Sequence, residues 1–246
     1  MKGDRIEDGA RLDLPADFQQ VYEHASFIPG WMTVRQAFSL YQRAKEVDGP
    51  GARIVEIGSH QGRSTVVLAL AAPQSETVAI DPFIDGRMFG GKKTKDLFEA
   101  NVAGAGVRGR IRLLEAKSTD LRAAWDERID LLYIDGKHDY WTVTDDLLWS
   151  AHVPEGRTIL IHDAFSSIGV TLALLRWVLP SRTLRYVDRE GSLARFVVGR
   201  PSMRDRRRIL REMPWWIRNV FIKVLLRLRL YPIARLAGHD SAVDPY

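Results

Sequence analysis

Short apolar runs alternate with amphipathic stretches over most of the chain. Residues 53–57, 77–80, 110–114, 130–134 and 158–161 are runs of four or five mainly Ile, Val and Leu positions bounded by Gly, Pro or Asp. Runs of that length with those boundaries predict strands buried on both faces. Between them, apolar positions at helical spacing predict helices over 64–71, around 97–102, and over 121–125, 143–149 and 170–178. Residues 184–187 and 193–198 read as a closing antiparallel pair with a turn around Glu190 and Gly191. Ahead of the first strand, Thr33 with Gln36 three residues later has capping-box spacing and starts a helix that Gly49-Pro50-Gly51 ends. Residues 1–32 are polar with Pro15 and Pro29-Gly30, and are expected to be irregular.

Regular alternation of strand and helix predicts an α/β fold: a Rossmann-like, doubly wound, mostly parallel seven-stranded sheet with helices on both faces. That pattern stops near residue 200. Residues 200–237 hold eleven Lys or Arg against only Asp205 and Glu212, so the chain's net charge of +5 belongs to its C-terminal part and residues 1–199 are slightly acidic. The reading is three units: 1–32, the sheet domain 33–200, and a basic helical extension 201–246. In the extension, Pro214 breaks a charged helix and Trp215-Trp216 opens a second. On a helical wheel Ile217, Val220, Phe221, Val224, Leu225, Leu228 and Tyr231 share one face, with Trp215, Ile222, Leu226 and Leu230 opposite. Its apolar runs are too interrupted to span a membrane. Three partners compete: an anionic membrane surface along 201–237, a second copy of the chain, and, least favoured, nucleic acid.

The absence of cysteine excludes disulfides, thiolate metal sites and a cysteine nucleophile. Without an apolar run near Met1, the expectation is a cytoplasmic protein, peripheral on the membrane if the extension binds lipid.

Ligands of such sheets sit at the carboxyl ends of the strands. The first strand runs into Glu56-Ile57-Gly58-Ser59-His60-Gln61-Gly62-Arg63-Ser64, whose glycines permit a tight turn close to a ligand. Its G-x-x-x-G spacing does not match the G-x-G-x-x-G of dinucleotide binders. Asp81 ends the second strand, where a carboxylate can accept both hydroxyls of a ribose. These motifs, in this order, resemble class I S-adenosylmethionine-dependent methyltransferases, in the form of catechol-type and macrocin-type O-methyltransferases. The resemblance covers about residues 50–200 and makes 33–200 the methyltransferase domain. It implies S-adenosylmethionine as cofactor, with Glu56 at the methionine amino group, Gly58, Ser59, Gly62 and Ser64 beside the cofactor, Asp81 on the ribose, and Lys117-Ser118 near adenine.

Asp135-Gly136-Lys137-His138 follows the fourth strand and His162-Asp163 the fifth, so acids and histidines converge on the cofactor's edge of the sheet. Buried together, they need pairing or a cation. His138 suits a general base toward an acceptor hydroxyl, because imidazole titrates near neutrality. The pattern resembles the macrocin O-methyltransferase and cephalosporin-hydroxylase-like branch, which implies Asp135 and Asp163 as ligands of a divalent cation and His138 as base, with Asp135 also at the cofactor. His162 departs from that branch by replacing an acid, which leaves magnesium, a softer ion or no ion open. The expected activity is O-methylation of a small hydroxylated acceptor, a sugar or glycosylated metabolite, with Trp31, Tyr140, Trp141 and residues 83–91 lining its pocket. A catalytically silent cofactor-binding module and a nucleic-acid methyltransferase are the alternatives. Against the second, Ile134-Asp135-Gly136 is not the Asn/Asp-Pro-Pro-aromatic loop of amino-methylating enzymes.

Overall fold

The computed structural model describes residues 14–85 and 90–239. The strands are β1 (Arg53–Ile57), β2 (Glu76–Ile80), β3 (Ile111–Leu114), β4 (Leu131–Ile134), β5 (Thr158–Ile161), β6 (Leu184–Glu190) and β7 (Leu193–Val198). They form one seven-stranded sheet of order β3-β2-β1-β4-β5-β7-β6. Strands β1 to β5 pair in parallel; β7 runs antiparallel to β5 and to β6. The strand order reverses between β1 and β4, and a crevice opens there at the strands' carboxyl ends.

Alternate strand residues feed two cores. Ile54, Ala79, Leu131, Tyr133 and Leu160 face α1 (Ala16–Ser26), α2 (Val34–Val47), α3 (Arg63–Ala71) and α4 (Lys92–Gly104). Val55, Ile57, Val78, Leu132 and Ile159 face α6 (Tyr140–Leu147), α7 (Ile168–Ala173) and α8 (Met203–Arg211). This is the doubly wound arrangement that the strand runs predict, since each buried strand must satisfy two apolar faces.

Thr33 caps α2 in a complete capping box with Gln36, as the spacing predicts. Residues 16–26, expected to be irregular, instead form α1, which buries Phe18 and Ala25 against α2 and α3. Phe18 packs edge-on to Phe38 and Tyr41, and Val21, Tyr22 and Ala25 join it on the core at helical spacing, so the segment is an amphipathic helix. The short helix expected over 121–125 is α5 (Ser118–Arg122), three residues earlier.

The C-terminal extension is docked rather than hanging free. Ile209 of α8 is buried in the second core, and Arg206 donates to the carbonyls of Leu179 and Ser181. Glu212 accepts from Tyr186 Oη at 2.8 Å and from Arg189 Nε at 2.7 Å. Pro214 sits in the first turn of α9 (Met213–Arg227), and Pro232 in that of α10 (Tyr231–Leu236), where a missing N–H costs nothing. Among the described residues, no helix is long and apolar enough to cross a membrane.

Candidate active site

The crevice is a cleft of about 810 Å³. Its floor is the turn after β1, its sides are the loops after β2, β4 and β5, and its rim is the 29–32 strap from the N-terminal segment. Gly58 has φ +92°, and a Cβ there would lie 2.3 Å from the Asp135 carbonyl oxygen, so only glycine lets the β1 turn and the β4 loop meet. Gly62, with φ +87°, caps α3.

Around that turn, Asp81 is held in place by two backbone donors, His60 N at 2.9 Å and Phe83 N at 2.8 Å. Burial raises its pKa, opposed by those two bonds. Arg63 donates to the Gly30 carbonyl at 2.9 Å and to Tyr22 Oη at 2.8 Å. It thereby ties the rim strap to α3 and sets half-exposed Trp31 beside His60, with ring centroids 5.7 Å apart.

Glu56 and Gly62, expected against the cofactor, are not among the residues lining the cleft. Glu56 is fully buried and accepts from the hydroxyls of Ser64 and Thr65, which anchors the start of α3. Burial pushes its pKa up to about 7 against those two bonds. Gly58, Ser59, Ser64, Asp81, Ser118 and Asp135 do line the cleft.

At the other wall four titratable groups meet. Asp135 accepts from Tyr133 Oη at 2.9 Å, while His138 Nε2 lies 3.3 Å and His162 Nδ1 3.1 Å from its other oxygen. His138 Nδ1 lies 2.8 Å from Asp163 Oδ2. Asp163 adopts φ +55° in the turn after β5, a conformation Asp tolerates better than most residues. Gly169 at the start of α7 lets that helix approach the His138 carbonyl, which a Cβ would meet at 2.4 Å.

Burial pulls the His138 pKa down, but its bonds to Asp135 and Asp163 outweigh this and raise it to about 10. Burial would likewise raise Asp135 and Asp163, yet the neighbouring imidazoles hold both below the usual carboxylate range.

Ligand atoms of Asp135, His138 and His162 all lie within 4.8 Å of one another. Asp163, chosen from the sequence in place of His138, has one oxygen on His138 and its other, Oδ1, buried without a hydrogen-bond partner. His162 Nε2 is also buried without one, while its Nδ1 faces Asp135 at 3.1 Å. Mixed carboxylate and imidazole donors fit a divalent cation, and suit Mn²⁺ or Zn²⁺ better than Mg²⁺.

Tyr133 and Asp146 are among the cleft residues that escaped the sequence reading. Tyr133 stands two positions before Asp135, and strand alternation puts both on one side, a signal that was available. Asp146 of α6 accepts from Ser118 Oγ, while its Oδ2 is buried without a partner and its carboxylate lies beside Gly136. Burial lifts its pKa to about 6. No local signal distinguishes it from Asp145. Of the expected pocket aromatics, Trp31 lines the rim, whereas Tyr140 and Trp141 do not line the cleft and Trp141 is 75% exposed. Phe83 packs on Phe98, and residues 86–89 of the same loop lie outside the described residues.

Residues 55–164 match a family model described as a methyltransferase domain. Among solved structures, the cofactor-bound protein Rv0187 from MTB aligns with TM-score 0.58 and 19% identity over 78% of this chain and 93% of that one. The O-methyltransferase from Bacillus cereus in complex with SAH aligns with TM-score 0.54 and 17% identity over 76% and 93%. The O-methyltransferase NovP aligns with TM-score 0.56 and 16% identity over 74% and 88%. At these identities the structural likeness is one of fold. Residues 55–164, which carry β1 to β5 and the loops of the cleft, thus match a methyltransferase domain, and the solved structures share the fold of the sheet.

Proposed function

We propose that the chain O-methylates a small hydroxylated acceptor, a sugar or glycosylated metabolite, with His138 as general base. The observation that carries this reading is the 2.8 Å contact between His138 Nδ1 and buried Asp163. In this reading Asp163 orients the ring, and Nε2, 3.3 Å from Asp135, is the atom that meets the acceptor. S-adenosylmethionine, when bound, supplies an electrophilic methyl group on its sulfonium. The Gly58 turn, Asp81 and Ser118 would hold the cofactor. Nε2 would take the acceptor hydroxyl's proton while its oxygen takes up the methyl group. Closely held reactants and excluded water supply most of the acceleration in such a displacement. Half-exposed Trp31 at the rim offers a flat apolar surface of the kind that stacks on a sugar face.

A divalent cation would be held by Asp135, His162 and Asp163, a set supported by the buried, unpartnered His162 Nε2 and Asp163 Oδ1, with His138 kept as base. Its chemistry there is to lower the pKa of a bound hydroxyl. The test is His138→Ala, assayed by S-adenosylhomocysteine release with a panel of glycosides. Turnover should fall by about 10²–10⁴-fold with S-adenosylhomocysteine affinity retained in calorimetry. Turnover at the parental rate would overturn the base assignment, and loss of cofactor affinity would point to a binding role instead. Failure of the parent protein to bind S-adenosylhomocysteine would favour neither.

A further inference from the structure

The helical wheel drawn from sequence leaves open which side of the extension packs on the body. The structure buries Asn219, Ile222 and Leu225 of α9 and turns Ile217, Phe221, Val224 and Leu228 to solvent. Leu225 is buried although the wheel groups it with Phe221, and α10 packs back against α9. Ile217, Phe221, Val224 and Leu228 follow one another at helical spacing, between 48% exposed at Val224 and 63% at Leu228. Contiguous apolar exposure of this kind marks an interaction surface.

Charge around the stripe narrows the partner. Arg207, Arg211, Arg227, Arg229 and Arg235 are exposed. The two acids within residues 200–237 are both engaged: Asp205 in the α8 capping box with Ser202, and Glu212 with Tyr186 and Arg189. A second copy docked isologously would bring this cationic surface against itself with no free carboxylate of the segment to pair it. Nucleic acid would reward the arginines but not the burial of Ile, Phe, Val and Leu. An anionic bilayer satisfies both, taking the apolar stripe below the headgroups and the arginines among them.

We propose that α8 to α10 dock the protein on an anionic lipid surface through the Ile217–Phe221–Val224–Leu228 stripe and its flanking arginines. The docked helix is itself part of the cleft wall. Lys223, on another side of α9, lines the cleft with Nζ 3.4 Å from Ser166 Oγ, and Asn219 reaches the Phe165 carbonyl. Docking therefore brings the cleft to the lipid surface, where an amphiphilic hydroxylated acceptor would be concentrated. The surface itself stands independently of the acceptor and base assigned above.

The experiment is vesicle flotation with the full chain, comparing phosphatidylglycerol/phosphatidylcholine vesicles with phosphatidylcholine alone. Binding should require the anionic lipid and weaken as salt rises. It should drop about fivefold for each arginine lost in Arg211→Gln and Arg227→Gln, and collapse in the triple variant Ile217→Ser, Phe221→Ser, Leu228→Ser. All these side chains are exposed, so melting temperature and S-adenosylhomocysteine affinity should be unchanged, which separates docking from folding and from the methyltransferase reading. Equal binding to both vesicles, or to neither, overturns the proposal. So does a dimer in sedimentation that the triple variant splits, or retention on duplex oligonucleotide without flotation.

Discussion

His138 Nδ1 lies 2.8 Å from Asp163 Oδ2, although the two residues come from loops after different strands. The same ring's Nε2 is 3.3 Å from Asp135, so the proposed base sits between two carboxylates. Those carboxylates raise its pKa to about 10 against the pull of burial. A base works only when neutral, so kcat/KM should climb with pH along a limb well above the ordinary imidazole value of about 6.5. Asp135→Asn should move that limb toward acid, and a pH–rate profile reads both. A limb already at ordinary imidazole pH in the parent protein would contradict the clamp.

The same shift bears on stability. A raised histidine pKa contributes fully below about 6.5 and is lost as pH rises through about 10. Urea denaturation of parent and His138→Gln should therefore show a difference at pH 6 that shrinks between pH 8 and pH 10.

Asp146 presents a rarer combination, a buried carboxylate whose pKa burial raises to about 6 and whose Oδ2 has no partner beside the cofactor cleft. At pH 7.5 its charge is a cost to the fold. Asp146→Asn should then raise stability by on the order of 1 kcal/mol. It should also weaken S-adenosylhomocysteine binding about tenfold or more, if the free oxygen receives a ligand N–H. Calorimetry and thermal melting test the two halves separately, and unchanged affinity would remove Asp146 from the binding site.

Gly58→Ala adds a Cβ 2.3 Å from the Asp135 carbonyl at a left-handed φ. The expected loss is about 2–4 kcal/mol in denaturant unfolding, with weaker cofactor binding as the turn shifts. An alanine variant as stable as the parent would mean that the two loops can separate cheaply.

Mixed carboxylate and imidazole donors at Asp135, His162 and Asp163 predict a larger melting-temperature rise with Mn²⁺ or Zn²⁺ than with Mg²⁺ in chelator-dialysed protein. His162→Ala should abolish the rise and His138→Ala should preserve it. The reverse pattern would move His138 from base to ligand, consistent with the Asp135–His138–His162 proximity.

Much of the fold was legible because it is written in local periodicity. Each β1 to β5 run had to be covered on two faces, which predicts a parallel sheet with helices on both sides, and the Thr33 capping box marks its own helix. Strand ends also announce chemistry, since Asp81, Asp135 and the His162-Asp163 pair follow apolar runs and must emerge at one edge of the sheet. Helix α1 also carried a local signal, since Phe18, Val21, Tyr22 and Ala25 recur at helical spacing, but that stripe is set among the polar residues of 1–32.

By itself the sequence determined the sheet, the order of its motifs and the cationic extension, all properties of residues near one another in the chain. Only the tertiary structure brought Asp163 within 2.8 Å of His138, set Glu56 against the hydroxyls of Ser64 and Thr65, and left Asp146 an unpaired oxygen. It also decided which face of α9 stays in solvent. Each of these depends on distances between residues far apart in sequence, and on which polar atoms burial leaves without a partner.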